Sequence, residues 1–171
     1  AMGDKVSGLT GAQVAAIETA DLNAMTTTQM DALTATQVKS LTTTQLQNLT
    51  TDKFAAITAS DLAGLTSGQI SALTTGEVKN MTTSQVAALT KTQVQGLSTA
   101  QVNVLSSSQL QALTTAAVAA LSSGQLAGLD TTQVSKLTTT QTQALSAAQV
   151  NALSTAQVNA LSTSQIEALS N

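Results

Sequence analysis

The chain has 171 residues, enough for one domain or one array of stacked repeats, and 42% of them are hydrophobic although Phe54 is the only aromatic. Cys, His, Trp, Tyr, Pro and Arg are all absent, and six Lys against nine acidic residues leave a formal charge of −3. This composition excludes disulfides, thiolate or imidazole metal sites and His-based nucleophilic catalysis; it also offers no basic phosphate-tracking patch and no aromatic platform for bases.

Residues 1–8 precede the periodic part. Ala1-Met2-Gly3 reads as the remnant of an expression tag, and Asp4-Lys5-Val6-Ser7-Gly8 reads as a degenerate half-unit. From Leu9 a large aliphatic residue recurs at every eighth position, through Ile17, Met25 and Leu33 to Leu161 and Leu169, in 21 of 21 places. The second slot holds Thr, Ser or Asp in every copy except that with Glu18. Gln fills the fifth slot in 15 of 20 copies, the departures being Asp21, Lys53, Asp61, Glu77 and Ala117, and the sixth slot is apolar in all but Thr142. The unit is clearest in Leu153-Ser154-Thr155-Ala156-Gln157-Val158-Asn159-Ala160. Such self-similarity at a fixed period governs the whole fold.

Each octapeptide writes the start of a helix. Thr or Ser followed three residues later by Gln is a capping box, in which the hydroxyl accepts from the N3 backbone N–H and the Gln side chain reaches back to the N-cap N–H. The preceding Leu then stands at N′ and the following Val at N4, the two positions of a hydrophobic staple. The spacing therefore predicts a new short helix every eight residues.

Other architectures fit the spacing less well. In one continuous helix each repeat would drift by about 80°, so the Leu and Val positions would wind round every face. On a strand, Leu and Val stand an odd number of residues apart and would point to opposite faces. The polar composition is compatible with disorder, but a disordered spacer has no use for an apolar register held over 21 copies.

Along the array, 12 of the 15 charged residues precede Thr92, and from Gln93 onward only Asp130, Lys136 and Glu167 are charged. No Pro-rich, Gly-rich or charged linker interrupts the phase, so residues 9–171 read as a single repeat domain. Its last copies are among the most regular, which is expected of a fragment cut from a longer array because solenoid ends are atypical. Gly64, Gly96 and Gly128 fall in the eighth slot at intervals of 32 residues. There a small residue or a left-handed helix terminus is useful; the interval fits a superhelical turn, and more simply it fits ordinary repeat divergence.

Several residue sets are candidates for chemistry. Lys136 beside Ser135 is a formal base–nucleophile pair, but Lys scattered over different slots reads as solvated surface charge. Asp21 with Asp31, or Asp52 with Asp61, falls short of the six to eight oxygens of a Ca²⁺ site. Asn48-Leu49-Thr50 and Asn80-Met81-Thr82 match the N-glycosylation pattern, which arises whenever Asn enters the eighth slot. Rows of hydroxyls such as Thr26-Thr27-Thr28, Thr42-Thr43-Thr44 and Thr138-Thr139-Thr140 resemble ice-binding surfaces in composition, yet the second-slot hydroxyl is committed to capping. No catalytic, cofactor-binding or metal-binding residue is predicted, and no enzyme activity. No nucleic-acid partner is expected, and no apolar run reaches the roughly 18 residues of a membrane span.

The tandem Leu-Thr-Thr-x-Gln-Val-x-Ala unit over residues 9–169 resembles octapeptide tracts of very long bacterial secreted and cell-surface proteins, often of adhesin type. The resemblance implies an extracellular or surface-displayed, stalk-like segment and carries over no functional residue. The expected fold is all-α: a solenoid of about twenty short capped helices, each five or six residues and roughly 8–9 Å long, around one continuous Leu/Val core. The expected function is a non-catalytic spacer, stalk or scaffold. The alternatives are a Thr/Ser surface for ice or carbohydrate, and end-to-end self-assembly through weak homotypic contacts.

Overall fold

The computed structural model describes residues 6–169; the tag reading of Ala1-Met2-Gly3 lies outside them. Within that span the chain forms twenty helices, from Gly11–Ala15 to Thr163–Leu169, each of four to seven residues, and no strand. Helices this short are unstable alone, because nucleation fixes several residues for very few backbone bonds. Their stability must come from caps at the ends and packing on the sides.

The start signal works as the octapeptide specifies. The N-cap residue is extended, as in Thr42 with φ −73° and ψ 158°, so the chain turns sharply between successive helices. Thr42 Oγ1 accepts from Gln45 N at 3.1 Å while Gln45 Oε1 accepts from Thr42 N at 2.7 Å. All fifteen fifth-slot glutamines make this reciprocal box, whether the cap is Thr, Ser or, at Asp130, a carboxylate.

Successive helices wind into a coil in which each packs on the third helix along. Lys91–Gly96 lies against Ser67–Ser71, Ser107–Ala112 against Thr83–Ala87, and Thr163–Leu169 against Thr139–Gln143. First-slot and sixth-slot side chains from Val6 to Leu161, apart from Thr142 and Val150, meet in one apolar core. Sixth-slot residues from Val14 to Val134 are at most 1% exposed, consistent with the staple position facing inward in every copy. Thr142, the polar exception, is fully buried and donates its hydroxyl to Thr138 O at 2.9 Å. Burial loosens over the final coil: Val150, Val158 and Leu161 are half-buried, and Ile166 is 40% exposed.

The glycines correct one expectation. No residue, glycine included, has a positive φ among the described residues, so the left-handed helix terminus is not used. The eighth-slot glycines answer close approach instead. A Cβ on Gly96 would stand 3.0 Å from Ser67 O, and one on Gly128 would collide with the Thr99 side chain. Both contacts, and the nearby Ala35 carbonyl at Gly64, lie 29 residues back, so the 32-residue interval is not the coil length.

Candidate functional site: a glutamine clamp between coils

A five-residue helix leaves its last carbonyls without intrahelical partners, and in many proteins a left-handed Schellman cap satisfies them. Here the fifth-slot glutamine of a later coil does so. As the N3 residue its side chain tilts back along the helix, and its Oε1 accepts from the N-cap N–H at 2.7–2.9 Å. The other half of the amide points to the neighbouring coil. Gln101 Nε2 donates to Leu73 O at 2.6 Å, with Ser71 O and Ile70 O at 3.3 and 3.4 Å.

The arrangement repeats with little variation. Thirteen of the fifteen fifth-slot glutamines donate to the first-slot carbonyl 28 residues earlier at 2.6–2.8 Å. For Gln13 and Gln29 that position falls before Val6. The clamping glutamines are 1–8% exposed, so each side chain is a buried polar group satisfied at both ends, as burial demands. Fewer, solvent-exposed ties run the other way: Asn23, Gln47, Asn103 and Gln111 in the seventh slot donate to the carbonyls of Asn48, Ala72, Gly128 and Lys136, 25 residues ahead. Ties spanning 25 to 31 residues give a coil of between three and four octapeptides.

The departures show what the clamp requires. Lys53 turns away to Asp52 at 2.7 Å. Its ammonium, with the Thr50 hydroxyl, holds the Asp52 carboxyl down to about 2. Asp61 accepts from its own cap hydroxyl, Thr58 Oγ1, at 2.6 Å, and Ala117 offers only its backbone N–H to Thr114. Glu77 closes the capping box with Thr74 but has no amide to donate. The carbonyls of Met25, Leu33, Leu49 and Leu89, 28 residues before these four positions, therefore receive no glutamine.

The residues singled out for chemistry are dispersed. Ser135 Oγ donates to Thr132 O at 2.8 Å rather than to Lys136, which is exposed. Among the described residues no three of His, Cys, Asp and Glu are grouped to hold a metal ion. The Asn48 and Asn80 amides each donate to a carbonyl of their own helix, Thr44 O and Gly76 O, at 2.8 Å. The third- and fourth-slot hydroxyls of the Thr26, Thr42 and Thr138 rows are exposed. Among the described residues one open surface groove has a volume of about 410 Å³ and is lined by Thr27, Thr28, Asp31, Thr58 and Thr82 among others. No helix among the described residues is long and apolar enough to cross a membrane.

A family model for the ALTTAQ repeat matches this chain over residues 6–51, 54–91, 107–139 and 139–171. The chain belongs to the ALTTAQ repeat family. The ALTTAQ matches lapse at residues 52–53, where Lys53 abandons the clamp. They lapse again over 92–106, although Gln93 and Gln101 there make both box and clamp. No curated protein and no solved structure is significantly similar to the chain.

The sequence reading identified the cap and missed the clamp, yet a signal was present. A capping box accepts Glu as readily as Gln, and the positive end of a helix dipole favours Glu. Gln nevertheless outnumbers Glu by fifteen to one in the fifth slot. That bias is unexplained by capping and points to a need for the N–H donor that Glu lacks at neutral pH.

Proposed function

We propose that this ALTTAQ array is a mechanical spacer or scaffold, whose length is set by the number of octapeptides, within a larger surface or secreted bacterial protein, and that it is not an enzyme. The carrying observation is the clamp. It ties each coil only to its neighbours, so coils can be added without altering the core or the register, the property that makes repeat proteins quasi-one-dimensional. The surface placement rests on the resemblance to long bacterial surface proteins and is tested separately, by protease accessibility on intact cells.

The length claim is tested by small-angle scattering on this chain and on variants with 8, 16 and 24 further octapeptides inserted after Ala152. A spacer should lengthen linearly at constant cross-section; at about 9 Å per coil, the usual helix-packing distance, each 28-residue increment should add about that much. A cross-section that grows with repeat number would rule the reading out.

The exposed Ile166 favours a second, compatible reading, in which isolated copies of this 171-residue chain associate weakly end to end. Light scattering should show concentration-dependent association that Ile166→Lys with Leu169→Lys suppresses. Association that survives the double substitution would place the contact on the coil's sides.

A further inference from the structure

Glu77 is the one residue that enters the clamp position with the right length and the wrong chemistry. Its side chain follows the course of the glutamines: Oε2 accepts from Thr74 N at 2.6 Å and from Thr74 Oγ1 at 2.8 Å, and the residue is only 7% exposed. Oε1 takes the place of the clamping Nε2. It is buried with no hydrogen-bond partner, the only such side-chain atom among the described residues. By the register of the sister repeats, the groups at that end are the carbonyls of Leu46 and Leu49, 31 and 28 residues earlier, the equivalents of Ile70 and Leu73 for Gln101.

An ionised carboxylate there would set oxygen against oxygen inside the coil, with no protein donor to its buried Oε1 to offset the cost. A carboxylic acid would not, because its O–H replaces the N–H of glutamine in nearly the same position. We propose that Glu77 is a proton-operated clamp: protonated, it donates to the Leu49 carbonyl and closes the coil as glutamine does, and ionised, it opens this one inter-coil joint. The surroundings fit a single-site device. The helices Thr43–Gln47, Ser67–Ser71, Thr83–Ala87 and Thr99–Asn103 carry no ionisable side chain, Asp52 and Lys53 on Thr51–Ala56 are paired with each other, and Lys79 on Glu77's own helix, Thr75–Lys79, is exposed. No cation is thus placed to hold the carboxylate.

Burial raises the Glu77 carboxyl above its ordinary value of 4.5, and the Thr74 backbone and hydroxyl donors only partly oppose it. The sign follows from linkage. A pKa raised by folding gives stability that is fully present below about 4.5 and lost as pH rises through the folded value. Across that window the folding equilibrium at this joint should weaken by up to tenfold per pH unit, and then level off.

The test uses the whole chain and Glu77→Gln, which installs the family's own residue and keeps the fold. Carboxyl carbon NMR should show Glu77 titrating above 4.5. Amide hydrogen exchange around Leu46–Leu49 and Thr74–Lys79 should slow as pH falls through that transition, after correction for intrinsic rates. In Glu77→Gln the same amides should be protected equally at all pH values and more strongly than wild type at pH 7. A Glu77 that titrates at or below 4.5, or pH-dependent protection that persists in Glu77→Gln, would overturn the proposal. So would protection at pH 7 that appears on adding sodium, potassium or calcium while Glu77 stays ionised, since the site would then be closed by a cation.

Discussion

The stretch from Gln85 to Gln165 and the stretch from Asp21 to Glu77 use the same octapeptide and differ in how much of it they keep. In the later stretch Ala117 alone breaks the fifth slot; in the earlier one Asp21, Lys53, Asp61 and Glu77 all do. Helices form at every one of these positions, and the sixth-slot residues Leu22, Phe54, Leu62 and Val78 remain buried. What fails, at Lys53, Asp61, Glu77 and Ala117, is the tie between coils. The comparison separates two jobs that one residue performs: starting a helix, which Asp, Glu or a bare backbone N–H can accommodate, and closing the coil, which needs an amide.

The comparison can be broken at its strongest point in the regular stretch, where core and clamp compete in size. Leu105→Ala should cost about 2–5 kcal/mol through cavity formation, read from thermal or denaturant unfolding followed by circular dichroism. Gln101→Ala should cost about 2–4 kcal/mol, because it strands the Ser98 N–H and the Leu73 carbonyl in addition to removing packing. A cost below 1 kcal/mol would mean that the clamp contributes little beyond the cap.

Repairing a departure sharpens the same contrast from the other side. Ala117→Gln supplies the amide that the Leu89 carbonyl lacks and should stabilise by about 1 kcal/mol, with slower hydrogen exchange near Val86–Leu89. Ser106→Ala removes a cap hydroxyl but leaves the Gln109 clamp, and should cost about 1 kcal/mol. If Ser106→Ala proved as costly as Gln101→Ala, cap and clamp would not be separable. The smallest effect belongs to Asp52. Its carboxyl is held near 2 by Lys53 and Thr50, so its contribution is present above the ordinary 3.8 and lost as pH falls towards 2. Asp52 is solvent-exposed although Lys53 is half-buried, so the loss should be barely measurable, and it should shrink in Lys53→Gln to what the Thr50 hydroxyl alone sustains.

Much of this architecture was legible in the residues. Thr34 and Gln37 name a capping box, Leu33 and Val38 a staple, and the period of eight excludes a single long helix. The coil was not legible, because nothing local to Gln37 shows that its amide meets Val6 O and Leu9 O, 31 and 28 residues away. The preference for Gln over Glu was a clue, but its meaning depends on which carbonyl faces the side chain. Gly96 and Gly128 do stand at helix ends, but without a left-handed conformation; it is their small size that matters, and the reason, the approach of Ser67 and Thr99 from the coil before, is not visible locally.

The most direct measurement is the stability of Gln101→Glu at pH 7. If the fifth-slot residue served only as a cap, this change would be neutral or slightly stabilising, since Glu completes a capping box and its charge favours a helix N-terminus. The clamp predicts the opposite sign: Glu cannot donate to Leu73 O, and a buried carboxylate facing that carbonyl should cost at least about 2 kcal/mol. A melting temperature equal to or above that of the unmodified chain would contradict the account.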